Sequence, residues 1–224
     1  MSFKDRADAG RKLALALGDY KNQQPVVLAL PRGGVPVAAK VAAALNAPLD
    51  LILVRKIGVP YRPELAMGAV VDGDKPLVVR NEDVIRFAGI DESEFNAVCD
   101  SELAEIERRR QRYLGSRERV EVAGRTAIVI DDGIATGATT RAALRATRIR
   151  TPKRLILAVP VAPTDSLAAM RQEADEVVCL EAHTDLMAIG LYYSNFWPVP
   201  DNEVIELLAR FSARKQKQSS QPAA

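Results

Sequence analysis

Histidine and cysteine are nearly missing from this chain: His183 stands alone, and Cys99 and Cys179 are the only thiols. Zinc clusters and histidine-centred triads are therefore poorly supplied. The cysteines lie far apart in no metal or redox spacing, which suits a reducing cytosol. No apolar run approaches the ~20 residues that cross a bilayer, and no signal peptide is apparent. A cytoplasmic protein without membrane partners is expected. Neither a P-loop nor a GxGxxG fingerprint is present. Formal net charge is only +2, which gives no strong pull toward nucleic acid.

What remains is an ordinary 224-residue chain, 48% hydrophobic and 27% charged, long enough for one good core. Val26–Leu30 is a continuous apolar run typical of a strand buried on both faces, and Leu49–Val54, Ala127–Ile130, Arg154–Val159 and Val177–Leu180, mostly apolar, read as further strands. Helical patterns fall between them: 35–45, 91–113, 139–147 and about 163–174. Strands alternating with helices predict a parallel sheet covered on both sides. Ligands of such sheets sit at the carboxyl ends of strands, near where the strand order reverses.

One stretch stands out, AIVIDDGIATGATTR from Ala127 to Arg141. An apolar strand runs into Asp131 and Asp132, then into a loop of small residues, then into a helix. Gly133 and Gly137 permit tight turns that bring amides toward a ligand. Thr136, Thr139 and Thr140 add hydroxyls at a helix start, an arrangement suited to an anion. The carboxylates would accept sugar hydroxyls or face a cation. A phosphate at one end and a diol at the other describes a ribose 5-phosphate. An ordinary strand–helix turn capped by Asp and Thr is the plainer reading of the same residues.

The string IVIDDGIATGATT resembles the phosphoribosyl-diphosphate (PRPP) loop of the type I phosphoribosyltransferases, in the form closest to the adenine and orotate enzymes. One departure is local: Gly133 replaces the bulkier apolar residue usual after the acids. The resemblance implies a Rossmann-like α/β fold with a small hood. It places the PRPP 5-phosphate on Ala135, Thr136, Gly137, Ala138 and Thr139. The ribose hydroxyls would fall to Asp131 and Asp132, the catalytic candidates. These acids would also face Mg²⁺, through water or ribose. Alanine at position 135, where hypoxanthine–guanine relatives carry an acid, points toward the adenine or orotate arrangement.

Two more segments fit. Pro31-Arg32-Gly33-Gly34 follows the first strand; alone it is an anion loop or a structural turn. Beside the PRPP loop it resembles the family's first diphosphate loop, with Arg32, Gly33 and Gly34 on the diphosphate and a non-proline cis peptide near Arg32. The next strand ends at Arg55-Lys56, and IGVPYRPELAMGAV, rich in Gly and Pro, suggests an irregular, mobile lid. It resembles the adenine enzymes' flexible loop, which would bring Arg55 and Lys56 to the diphosphate. A solvated basic turn explains it as well, and Glu64 is a weak candidate for proton transfer.

The segment from Glu181 to Pro200 gathers Tyr192, Tyr193, Phe196 and Trp197. They either stack on a nucleobase within the hood or fill a core. An amphipathic helix over 3–17, within an N-terminal stretch 1–23, should pack on the domain, which spans 24–213. The long helix from Asp91 carries Arg108-Arg109-Arg110 on a face explained by ion pairing. An interface or RNA contact is the sharper alternative. Residues 214–224 read as a disordered tail. The expected activity is transfer of a phosphoribosyl group from PRPP to a nitrogenous base, by a homodimer. The alternatives are a PRPP- or nucleotide-sensing regulator of the same fold, and nucleotide cleavage at the same site.

Overall fold

Strand β1 (Val26–Ala29) is buried along its whole length, because it lies inside a sheet with helices on both faces. The computed structural model describes residues 2–73 and 76–218, with side chains described as far as Phe211. In chain order the elements are helix α1 (Arg6–Ala16), β1, α2 (Gly34–Leu45), β2 (Leu49–Leu51), β3 (Val54–Val59), β4 (Arg62–Val71), β5 (Leu77–Arg80), α3 (Glu82–Ala88) and α4 (Glu92–Leu114). Then follow β6 (Thr126–Ile130), α5 (Ala138–Ile149), β7 (Arg154–Pro163), α6 (Thr164–Met170), β8 (Glu176–His183) and α7 (Asp201–Gln218).

Five strands pair in the order β2-β1-β6-β7-β8, all parallel. The alternation of side chains along a strand divides the core in two. Val27, Ala29, Ile128 and Ile130 face α2 and α7, while Val26, Leu28, Ala127 and Val129 face α5 and α6. Order reverses between β1 and β6: the chain steps outward to β2, then returns to the other side of β1. Their register, Ala29 beside Ile130, starts both following loops at one level.

The second sheet corrects the lid expectation. Residues 54–71 are not an irregular loop but an antiparallel hairpin, β3 and β4, extended by β5. Gly58 makes the hairpin possible, since a Cβ there would lie 2.6 Å from the Pro63 carbonyl oxygen. A register shift at Gly58 absorbs the irregular stretch as a bulge. The connection from β4 to β5 lies partly outside the described residues.

Asp72 ties this hairpin to the main sheet. Its Oδ1 accepts from the Leu53 amide at 2.9 Å, and its Oδ2 meets Arg119 Nη1 at 2.6 Å and Arg110 Nη1 at 3.9 Å. Burial pushes its pKa up even though Arg119 pulls it down. Helix α4 starts with a reciprocal capping box between Asp91 and Glu94. The helix α7 continues past the expected limit at 213 to Gln218, and the rest of the expected tail, 219–224, lies outside the described residues. Among the described residues no helix is long and apolar enough to cross a membrane.

Asp72→Ala removes a buried carboxylate from two arginines and orphans the Leu53 amide. It should lower unfolding free energy by about 3 kcal/mol or more, read from the urea midpoint.

Candidate active site

The loops after β1 and β6 meet. Gly33 lies so close to the acids that a Cβ on it would stand 2.0 Å from Asp132 Oδ2. A Cβ on Gly34 would reach the Ile130 carbonyl oxygen at 2.7 Å and the Asp131 Cα at 3.0 Å. Neither glycine has a positive φ near this contact, so space rather than backbone freedom requires them here. The peptide between Pro31 and Arg32 is cis, where the resemblance implies one.

The two acids differ in environment. Asp132 Oδ2 is bound by Arg6 Nε at 2.7 Å, with side chains only 13% and 11% exposed. Its backbone carbonyl accepts the Tyr193 hydroxyl at 2.6 Å. Among the described residues no cation pairs with Asp131; its Oδ1 accepts the Asp132 amide at 2.9 Å. Burial first, and the neighbouring Asp132 charge second, push the Asp131 pKa well above the usual carboxylate range.

Beyond the acids the loop is pinned from outside. The Ile134 amide donates to the Val161 carbonyl at 2.9 Å, and Ser166 Oγ donates to the Ala135 carbonyl at 3.0 Å. Gly137, with φ +77, turns the chain into α5, and no side chain caps that helix. Ala135, Thr136, Ala138 and Thr139 are exposed while Gly137 and Thr140 are buried, so the loop and first helical turn lie open to solvent, where the first amides of a helix have no partner within it.

The other candidates are placed unevenly. Arg32 shares this end of the sheet, where its Nη1 lies 3.4 Å from Asp201 Oδ1. Arg55 and Lys56 touch neither the acids nor the glycine loop: they sit on β3, where Arg55 Nε holds Glu102 at 2.5 Å and Lys56 Nζ lies 3.8 Å from Glu64. With Glu64 and Glu102 they line a separate cleft of about 490 Å³. The Glu64 side chain is 99% exposed, away from the acids.

The aromatics divide. Tyr193 is core, 5.3 Å from Phe3 between ring centroids. Phe196 lies against Tyr193 and under the Arg6 guanidinium, 3.8 Å from its ring. Tyr192 packs against His183 at 4.5 Å. Trp197 is 78% exposed. Sequence reasoning missed Arg6, whose helix carried no mark of a site. It also missed Ile189, which explains the unusual Gly133: a Cβ there would lie 2.6 Å from Ile189 Cγ2. The arginine cluster of α4 is carboxylate-bound. Arg108 and Arg109 hold Glu105 at 2.7 Å, and Arg112 holds Asp201 at 3.0 Å.

A parallel sheet of this order, an accessory antiparallel sheet and paired acids beside an open amide loop at the reversal point make up the type I phosphoribosyltransferase architecture. The chain belongs to that family: the phosphoribosyl transferase domain model matches residues 3–194. It is similar to two Mycobacterium tuberculosis proteins, “Putative phosphoribosyl transferase MT0597” from strain CDC 1551 and “Putative phosphoribosyl transferase Rv0571c” from strain H37Rv. Each is 46% identical over 208 residues, or 93% of this chain. The chain spans about half the length of these relatives, 46%. Among solved structures it is similar to the crystal structure of TT1426 from Thermus thermophilus, at 39% identity and a TM-score of 0.81. That match covers 94% of this chain and 99% of the other.

The acid pair can be tested by stability alone. The Asp131 pKa is raised on folding, so its stabilising share is full below the unfolded value and is lost as pH rises through the folded one. Asp131→Asn lacks that loss, and its melting temperature should match or exceed the wild type, increasingly so from pH 4 to 8. Asp132→Asn takes the carboxylate from Arg6 and should melt several degrees lower, near 2–4 °C per kcal/mol lost.

Proposed function

We propose that this protein transfers the 5-phosphoribosyl group of PRPP to a nitrogenous base, releasing diphosphate, in a magnesium-dependent reaction. The observation that carries the reading is the junction of the two loops. An uncapped helix start offers amides for a phosphate, and two carboxylates stand immediately beside it at the reversal of strand order.

In this reading the 5-phosphate lies on residues 135–139, its charge met by exposed amides and the Thr136 and Thr139 hydroxyls. The ribose hydroxyls donate to Asp131 and Asp132. The diphosphate takes the Arg32 guanidinium and the amides of Gly33 and Gly34. Arg55 and Lys56 join it only by leaving Glu102 and Glu64, which requires the hairpin to move.

The donor set fits magnesium, which prefers hard oxygen ligands and keeps water. Among the described residues no group of three or more His, Cys, Asp or Glu could hold a metal. Asp131 and Asp132 would be the chain's own donors, with substrate oxygens and water completing the shell. When bound, the ion supplies charge neutralisation for the leaving diphosphate.

The chemistry asked of the residues is modest. The bond from the anomeric carbon to the diphosphate oxygen breaks, leaving positive charge on the ring, which nearby carboxylates stabilise more than the ground state. The base nitrogen then bonds to that carbon from the opposite face and passes its proton to water or to the departing diphosphate. In this reading the base would stack on the aromatic segment, with the exposed Trp197 its open ring and Phe196 reached only once Arg6 moves aside.

Incubating the protein with PRPP and Mg²⁺ across a panel of bases, with diphosphate release as readout, tests this directly. One base should release diphosphate well above the base-free rate. PRPP binding without turnover of any base would favour the sensing role instead. The double variant Asp131→Asn, Asp132→Asn should lose at least about 10²-fold in kcat while keeping a native circular dichroism spectrum.

A further inference from the structure

The N-terminal segment reaches the acid pair through one side chain. Backbone bonds zip residues 2–4 to the aromatic segment: Ser2 and Phe3 amides donate to the Tyr192 carbonyl, and Ser194 and Asn195 amides donate to the Phe3 and Lys4 carbonyls at 2.8 and 2.9 Å. These two pieces share a small apolar cluster of Phe3, Ala9, Val161 and Tyr193, apart from the two main clusters. Arg6 projects from this unit. Its Nε holds Asp132 Oδ2 at 2.7 Å, its Nη1 donates to the Trp197 carbonyl at 2.8 Å, and its guanidinium lies on Phe196.

That contact sets a conflict. Asp132 is one of the carboxylates assigned to the ribose and to developing positive charge, yet its charge is already balanced by an enclosed guanidinium. A cationic ring or a magnesium ion would meet a neutral pair rather than a carboxylate, and at short range such a difference is large. A place for the displaced group exists. A cleft of about 280 Å³ beside Arg6 is lined by Asp5, Pro36, Trp197 and Glu203, two of them acids.

We propose that Arg6 is a positioning residue of the transferase site, the internal counter-ion of Asp132. It holds the N-terminal segment and the aromatic segment down on the acids in the free protein and yields to magnesium-bound PRPP. The exchange replaces one cation by another at Asp132, with Arg6 swinging toward Glu203, and it couples sugar binding to exposure of the base-facing surface. The coupling rests on the proposed function, whereas the latch itself is a property of the free chain.

Hydrogen exchange separates the two. In unliganded protein, Arg6→Gln should exchange the Ser194 and Asn195 amides at least about tenfold faster than wild type, with Arg6→Lys near wild type. Unchanged exchange in Arg6→Gln would overturn the latch whether or not PRPP binds. Adding PRPP and Mg²⁺ to wild type should speed the same amides, and calorimetry should find Arg6→Gln binding PRPP several-fold tighter. Slower exchange on binding, or weaker binding by Arg6→Gln in a folded protein, would reject the exchange of cations. Absence of PRPP binding by wild type would instead reject the transferase reading, while the unliganded comparison still decides the latch.

Discussion

Everything at the site depends on two backbones coming closer than side chains would permit. The loop after β1 presses Gly33 and Gly34 onto the acids that end β6, and the nearest carboxylate oxygen stands where a Cβ of residue 33 would be. This approach follows from the sheet. β1 and β6 are hydrogen-bonded neighbours, in register at Ala29 and Ile130, so their loops leave at the same height and must share one space. The absence of side chains at two positions makes that sharing possible. The acids are thereby walled on one side by main chain and on the other by Arg6.

Adjacent identical side chains acquire different characters as a result. Asp132 has a guanidinium as its partner. Among the described residues Asp131 pairs with no cation, and burial together with its neighbour's charge pushes its pKa up. Elsewhere opposite charges are matched. The arginine cluster of α4 is taken up by Glu105, Asp72 and Asp201, which leaves little of it as a free basic surface.

Much of this was legible in the chain. Runs such as Val26–Leu30 and Ala127–Ile130 are apolar without interruption because both faces of their strands are covered, and that pattern has few other causes. The acids and small residues that follow are legible for a related reason: backbone must approach a ligand there, which limits the choice of residue. The hairpin at 54–71 was misread because Gly58, Pro60 and Pro63 look like breakers, while a bulge lets them into a ladder. Arg6 was illegible on principle. Its partner lies 126 residues away, and one of two arginines on a short amphipathic helix has no local pattern to betray it. The aromatics of 192–197 look alike in sequence. Only the packing of Phe3 separates the core ring Tyr193 from the solvent-facing Trp197.

Gly133 and Ile189 remain as a matched set. The glycine looks like a lost side chain until the isoleucine, far along the chain, is found filling the vacated volume. A side chain at 133 could be admitted only if Ile189 drew back, since its Cβ alone would lie 2.6 Å from Cγ2. One side chain of the aromatic segment is therefore bound by size to the acid-bearing loop, and neither position can change bulk without regard to the other.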